Sequence, residues 1–298
     1  MTAATRPARY GLLLPNAGTY ADPRLLVGLA RTAEDSGWDG VFLWDHLMLH
    51  RHLRLPVADT WTAVTAILAS TRRIICGPLV TPLAARQPWK VARETATLDQ
   101  LSGGRVVLGV GLGASGELDF AAYGDDPDLA GRAARTDEAL ALLDRLWSGE
   151  EVSHTGLRYR LDRVTHLPTP QRSRVPVWVA ATWPARAPGP LRRALRRDGI
   201  VPMVTDARGG LRGPDPGELA ALLPPADRRP AHWTVAVPGR TPPDDPTAAR
   251  ETVERHLDAG ATWWLESFDP WSRDPAHAWS WARQGPPRPP AAPRKEDL

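Results

Sequence analysis

Eight short apolar runs, separated by stretches of helical periodicity, constrain the fold of this chain more than any other feature. They lie at residues 10–14 (YGLLL), 40–44 (GVFLW), 74–80 (IICGPLV), 106–110 (VVLGV), 177–181 (VWVAA), 200–203 (IVPM), 233–237 (WTVAV) and 262–265 (TWWL). Most are continuously apolar rather than alternating, so they read as strands covered on both faces, which means a parallel sheet with crossover helices. Helical spacing fills the gaps at 23–36, 60–69, 88–101, 131–147, 190–197, 217–223 and 247–258. In the first of these, Leu25, Leu26, Leu29, Ala30 and Ala33 recur on one face, with Asp22 placed to cap it and Gly37 to end it. Eight such units in 298 residues predict an α/β fold, a (β/α)8 TIM barrel, as a single domain over 6–285. An open doubly wound sheet of six or seven strands is the alternative that periodicity leaves. Residues 150–176 predict a polar surface hairpin, 205–230 a proline-rich set of loops around one short helix, and 286–298 a disordered proline-rich tail.

Composition narrows the classes of function. With 42% hydrophobic and 24% charged residues the chain has material for a large core. It contains no apolar run of membrane-spanning length and no apolar signal core near its start, so the expectation is a cytoplasmic protein without membrane contact. Its single cysteine, Cys76, excludes an internal disulfide and a cysteine-only metal cluster. The formal net charge is only +3, and basic residues are interspersed with acids, which speaks against nucleic-acid binding.

The most informative local stretch is 96–113, ATLDQLSGGRVVLGVGLG. It reads as a helix broken by Gly103-Gly104, a buried strand, and a glycine lip at Gly111-Leu112-Gly113 where backbone can approach a ligand. Residues 111–116 match the expression GxGxxG, but a dinucleotide turn requires a helix followed by a strand ending in an acid, and none follows here. The wording instead resembles the luciferase-like flavin and deazaflavin oxidoreductases of the bacterial luciferase superfamily, and the likeness runs over about 10–285.

That resemblance implies a barrel enzyme using FMN or coenzyme F420, with its chemistry at the C-terminal ends of the strands. After the second strand stands Asp45-His46. Read alone, the pair can simply open a loop, with Asp45 capping local backbone. The resemblance makes His46 the catalytic residue facing the reactive edge of the cofactor ring, where its near-neutral side chain can move a proton, and gives Asp45 the role of orienting that ring or hydrogen-bonding the cofactor. His50 and His52 follow without acidic neighbours, so no metal site is expected. Pro78 interrupts the third strand, and the resemblance places a non-proline cis peptide at Pro78–Leu79, with Thr81 just beyond at the cofactor. Cofactor contacts carried over in the same way are Gly111, Leu112, Gly113, Ala180, Ala181, Thr182 and Trp183, the last four as a phosphate cradle to which Arg186 can add a charge.

Two departures stand out. Several deazaflavin dehydrogenases carry a catalytic glutamate where this chain has Ala114, with Glu117 three residues on, and some luciferases carry a phosphate-binding arginine where it has Leu112. The missing glutamate favours an FMN monooxygenase using reduced FMN and oxygen on a small organic substrate over F420-dependent hydride transfer. A catalytically silent flavin-binding barrel and a metal-dependent hydrolase are the rivals. Glu266 ends the eighth strand at the expected barrel mouth, where structural pairing is its simplest role, and Trp44, Trp183 and Trp264 are placed to wall a ring-shaped pocket. A flavin or F420 reductase supplying reduced cofactor is an expected partner. Alanine-rich surfaces at 60–70 and 91–101 suggest a homodimer.

Overall fold

The computed structural model describes residues 7–184, 189–207, 209–271 and 274–288. Eight strands form its frame: β1 Arg9–Leu14, β2 Gly40–Leu43, β3 Ile75–Pro78, β4 Leu108–Gly111, β5 Val177–Trp183, β6 Gly199–Thr205, β7 Thr234–Gly239 and β8 Trp263–Ser267. Each is followed by a helix: α1 Pro23–Asp35, α2 Thr60–Ser70, α3 Pro88–Ser102, α4 Leu129–Leu146, α5 Gly189–Ala194, α6 Pro216–Leu222, α7 Pro246–Asp258 and α8 Ala276–Gln284. All neighbouring pairs in the series β3-β2-β1-β8-β7-β6-β5-β4 are parallel. The ring closes between β3 and β4 through a bridge of Cys76 to Val106, where Cys76 N donates to Arg105 O and Val107 N to Cys76 O, both at 3.0 Å. The open sheet is thereby excluded, and the fold is a (β/α)8 barrel.

Strand alternation sorts the side chains. Leu13, Phe42, Val107, Trp178, Val201, Ala236, Trp263 and Leu265 point inward and fill the barrel. Phe42, Trp178 and Trp263 form its plug, with ring centroids 5.3–5.5 Å apart in tilted and edge-to-face contacts. Outward residues such as Leu12, Val41, Leu108, Val179 and Val237 meet the helices in the larger core. Asp22 caps α1 by accepting from Arg24 N at 2.8 Å, and Asp59 caps α2 by accepting from Thr62 N at 2.7 Å.

Several expectations shift. The third strand stops at Pro78, two residues early, and the non-proline cis peptide is Leu79–Val80, not Pro78–Leu79. The physical reason is the ladder: Leu79 N still donates to Leu43 O at 2.7 Å, so the Pro78–Leu79 peptide belongs to the sheet and the chain departs one bond later. The expected hairpin is present as Glu151–Thr155 paired antiparallel with Arg160–Thr165. The tail departs from expectation at its start, because Arg288 is held by Asp39 at 3.0 Å and by Gly37 O at 2.8 Å; residues 289–298 lie outside the described residues. Ala63, Ala92 and Ala96, whose small size motivated the homodimer, are buried within the protomer and serve packing among α1, α2, α3 and the barrel. No helix among the described residues is long and apolar enough to cross a membrane.

Candidate active site

The end of β2 is held more firmly than sequence reading foresaw. Thr60 donates its hydroxyl to Trp44 O at 2.6 Å. Asn16, buried just past β1, donates through Nδ2 to His46 O and Ala58 O, each at 2.9 Å, and accepts from His46 N at 3.4 Å. The backbone of His46 is therefore gripped on both its polar groups. Its ring lies edge-on to Trp44, with centroids 5.9 Å apart, and its side chain keeps 22% exposure.

Asp45 does not orient that ring. Adjacent residues of an extended chain face opposite ways, and the Asp45 carboxylate turns to Arg86, whose Nη2 reaches its two oxygens at 2.9 and 2.8 Å, and to the hydroxyl of Thr81. Asp45 and Thr81 are both buried. They brace the loop from behind. The carboxylate beside the His46 ring is Asp119, with Oδ1 3.4 Å from Nδ1.

The glycine lip is closely packed on its Cβ side. A Cβ on Gly111 would lie 2.4 Å from Val80 Cγ2, and one on Gly109 would lie 2.2 Å from Pro78 O. Gly113, at φ +85°, has Phe120 Cε2 where its Cβ would stand, at 2.6 Å. These bare positions admit the protein's own β3 turn and Phe120. Leu112 and Gly113 offer their carbonyls to buried Arg132 Nη1 at 2.8 and 3.1 Å. Ala114 is exposed, and Glu117 turns outward to pair with Arg51 at 3.1 Å.

At β5 the strand continues to Trp183, in register with β6 through Val204. Ala180, Ala181, Thr182 and Trp183 are thus sheet residues, with part of their backbone committed to the ladder, and the expected cradle is not a free turn. Alternation aims Ala180 and Thr182 inward with Trp178, and Ala181 and Trp183 outward. Arg186 lies outside the described residues. Of the three tryptophans expected to wall a pocket, only Trp44 packs with the barrel interior; Trp183 is 41% exposed and Trp264 is buried in the outer core. His50 Nδ1 accepts from His52 N and Leu53 N at 3.2 and 3.3 Å, and no metal-ligating group occurs among the described residues.

Glu266 faces outward from β8, away from the mouth. It accepts from Thr241 N at 2.9 Å, Thr241 Oγ1 at 2.8 Å and Trp264 Nε1 at 3.0 Å. Burial pushes its pKa up to about 6 against these donors. A raised carboxyl pKa stabilises the fold below its unfolded value, and that contribution is lost as pH rises through the folded value. The wild type should therefore lose about 2 kcal/mol relative to Glu266→Gln between pH 4 and pH 7. Urea unfolding of both proteins at pH 4, 5.5 and 7 checks this; a stability difference that stays flat across the series refutes it.

Asn16, Asp119 and Arg132 were missed from sequence. Asn16 could have been found, since it is a polar residue just past a barrel strand, the same rule that singled out Asp45-His46. Asp119 and Arg132 carry no such signal.

The fold and these strand-end residues define a (β/α)8-barrel protein with its candidate site at the C-terminal mouth, centred on one histidine. Residues 9–202 match the family described as luciferase-like monooxygenase, and the chain belongs to that family. The F420-dependent glucose-6-phosphate dehydrogenase of Nakamurella multipartita is 38% identical over 167 residues, covering 55% of this chain and 48% of that protein. The same-named protein of Beutenbergia cavernae is 41% identical over 167 residues, with the same coverages of 55% and 48%. The chain spans about half the length of the curated relatives it matches. Among solved structures, the coenzyme F420 dependent tetrahydromethanopterin reductase from Methanopyrus kandleri has a TM-score of 0.71 at 17% identity, covering 94% of this chain and 98% of that one; this likeness is one of fold.

Proposed function

We propose that this chain is an oxidoreductase that uses coenzyme F420 for two-electron chemistry on a small organic substrate. The observation that carries the proposal is the 38–41% identity to F420-dependent dehydrogenases, in a family match that includes His46. It reverses the preference for reduced FMN that rested on Ala114.

The residues at the mouth fit a planar ring. Leu79, Val80, Trp44 and Met203 form an apolar floor with the barrel interior, Ala180 adds little bulk, and His46 supplies an imidazole beside them. Coenzyme F420 would supply hydride chemistry when bound there. His46 would take the proton leaving a substrate oxygen, or return it, from a backbone fixed by Asn16. The rim exposes Leu47, Leu53, Tyr123, Trp183 and Trp271, at 41–54% of their full area, and its Arg51 is paired with Glu117. A separate enzyme recycling the cofactor belongs to this reading.

The test is a fluorescence and absorption titration of the purified protein with F420 and, separately, FMN, followed by anaerobic reduction and admission of air. The expected outcome is saturable binding of F420 and a reduced form that persists in air. Binding of FMN alone, with rapid oxygen consumption after reduction, would return the monooxygenase reading; binding of neither would leave a silent barrel.

A further inference from the structure

Ala114 leaves the β4 loop without an acid at the position next to the glycine lip, yet the loop still delivers a carboxylate to the histidine by a different route. Ser115 caps the single turn Gly116–Asp119 by accepting from Leu118 N at 2.9 Å. Phe120, fully buried, plugs the space beneath Gly113, and Arg132 stacks 4.9 Å from its ring centroid. Anchoring Phe120 in this way turns the preceding residue toward β2. Asp119 ends there 3% exposed, with Oδ1 at 3.4 Å from His46 Nδ1 and Oδ2 accepting from Ser115 N at 3.2 Å.

We infer that Asp119 is the positioning residue of the site, fixing His46 as its Nδ1–H tautomer so that Nε2 faces the barrel mouth as a free base. This rests on the proposed function for its catalytic meaning, but the tautomer itself is a property of this chain. An ionised carboxylate has only acceptors, so the hydrogen shared with His46 sits on Nδ1. Other charges around the pair leave that assignment in place. Arg132, from α4, lies close to Asp119; burial lowers the Arg132 pKa, and Asp119 is the foremost acid opposing that fall. Arg135 is tied to Asp125 at 2.7 Å, Arg86 to Asp45 at 2.8 Å, and Arg51 to Glu117 at 3.1 Å. The 3.4 Å separation is long, as such contacts often are before substrate binds.

The arrangement makes a directional prediction for Asp119→Asn. The amide oxygen must take the Ser115 N–H, because the amide nitrogen cannot accept it. The NH2 then faces His46 Nδ1, which becomes the acceptor, and the hydrogen moves to Nε2. Long-range 15N correlation spectra of the histidine rings, recorded without cofactor at a pH where imidazole is neutral, read this directly, with His46 assigned by its loss in His46→Gln. Wild type should give a protonated Nδ1 and a bare Nε2, Asp119→Asn the reverse, and Asp119→Ala a mixture of both. A wild type carrying Nε2–H, or an Asp119→Asn variant unchanged from wild type, overturns the inference. With F420 and a turned-over substrate, Asp119→Asn should lower kcat roughly 10- to 100-fold with cofactor Kd unchanged. Loss of F420 binding in the wild type would sink the proposed function while leaving the tautomer result standing.

Discussion

His46→Ala is expected to lower kcat by roughly 100-fold or more while leaving cofactor affinity within about twofold of wild type. The separation of these two effects follows from where the residue sits. Its backbone is held by Asn16, whose side chain bonds to His46 N and O and not to the ring, so truncation leaves the loop clamp intact. Asp45, Arg86 and Thr81 brace the same loop from the buried side and are untouched. What disappears is the imidazole beside the apolar floor at the mouth, together with its contact to Asp119. Steady-state kinetics and an equilibrium F420 titration on the same preparation check the split. Asn16→Ala should behave differently: two part-buried carbonyl acceptors and the His46 N–H lose their partner, so both kcat and stability should fall. If His46→Ala retains full turnover on a genuine substrate, the histidine is a loop residue and the proposed chemistry is wrong.

How much of this could be read from the sequence depended on which physical signal was involved. The barrel was legible because each strand is buried on both faces, and a continuous apolar run is a direct imprint of that burial; the runs at 40–44 and 106–110 fall on or beside β2 and β4. Asp45-His46 was legible because polar residues at the end of such a run have few structural reasons to be there. The pairing of Asp45 was not, since its partner Arg86 lies 41 residues away on another unit. The glycines were legible only in part, for a related reason. Gly111 and Gly113 announce that something approaches the backbone, but only the fold reveals that Val80 and Phe120 do so. Asp119 was invisible because its placement depends on Phe120 being drawn under Gly113, a tertiary contact with no periodic trace. Site residues defined by their own strand were readable; those defined by contact between two loops were not.

The same close approach predicts a large stability effect for a single methyl group at Gly77. This residue sits where the barrel closes, flanked by the Cys76–Val106 bridge, and an added Cβ would stand 1.8 Å from Val107 O and 2.9 Å from Val107 C. Neither obstacle is a flexible side chain. Relief requires β3 and β4 to separate by more than an ångström, which strains the hydrogen bonds from Cys76 N and Val107 N that close the ring. Overpacking of this kind costs about 3 kcal/mol or more, so Gly77→Ala should lower Tm by on the order of 5–10 °C. Gly217→Ala supplies the comparison: its Cβ position meets only Asp215 Oδ1, at an ordinary contact distance of 3.4 Å, and it lies in the first turn of α6, so the substitution should be neutral or slightly stabilising. The contrast separates a steric clash from any general effect of replacing glycine, which reduces the freedom of the unfolded chain in both variants. Because β3 leads directly into Leu79, Val80 and Thr81, opening this seam should also loosen the brace on Asp45, and F420 affinity should fall along with Tm. A Gly77→Ala protein that melts with the wild type would mean that β3 and β4 are not packed backbone to backbone at the closure, and the account of the glycines in this barrel would fail with it.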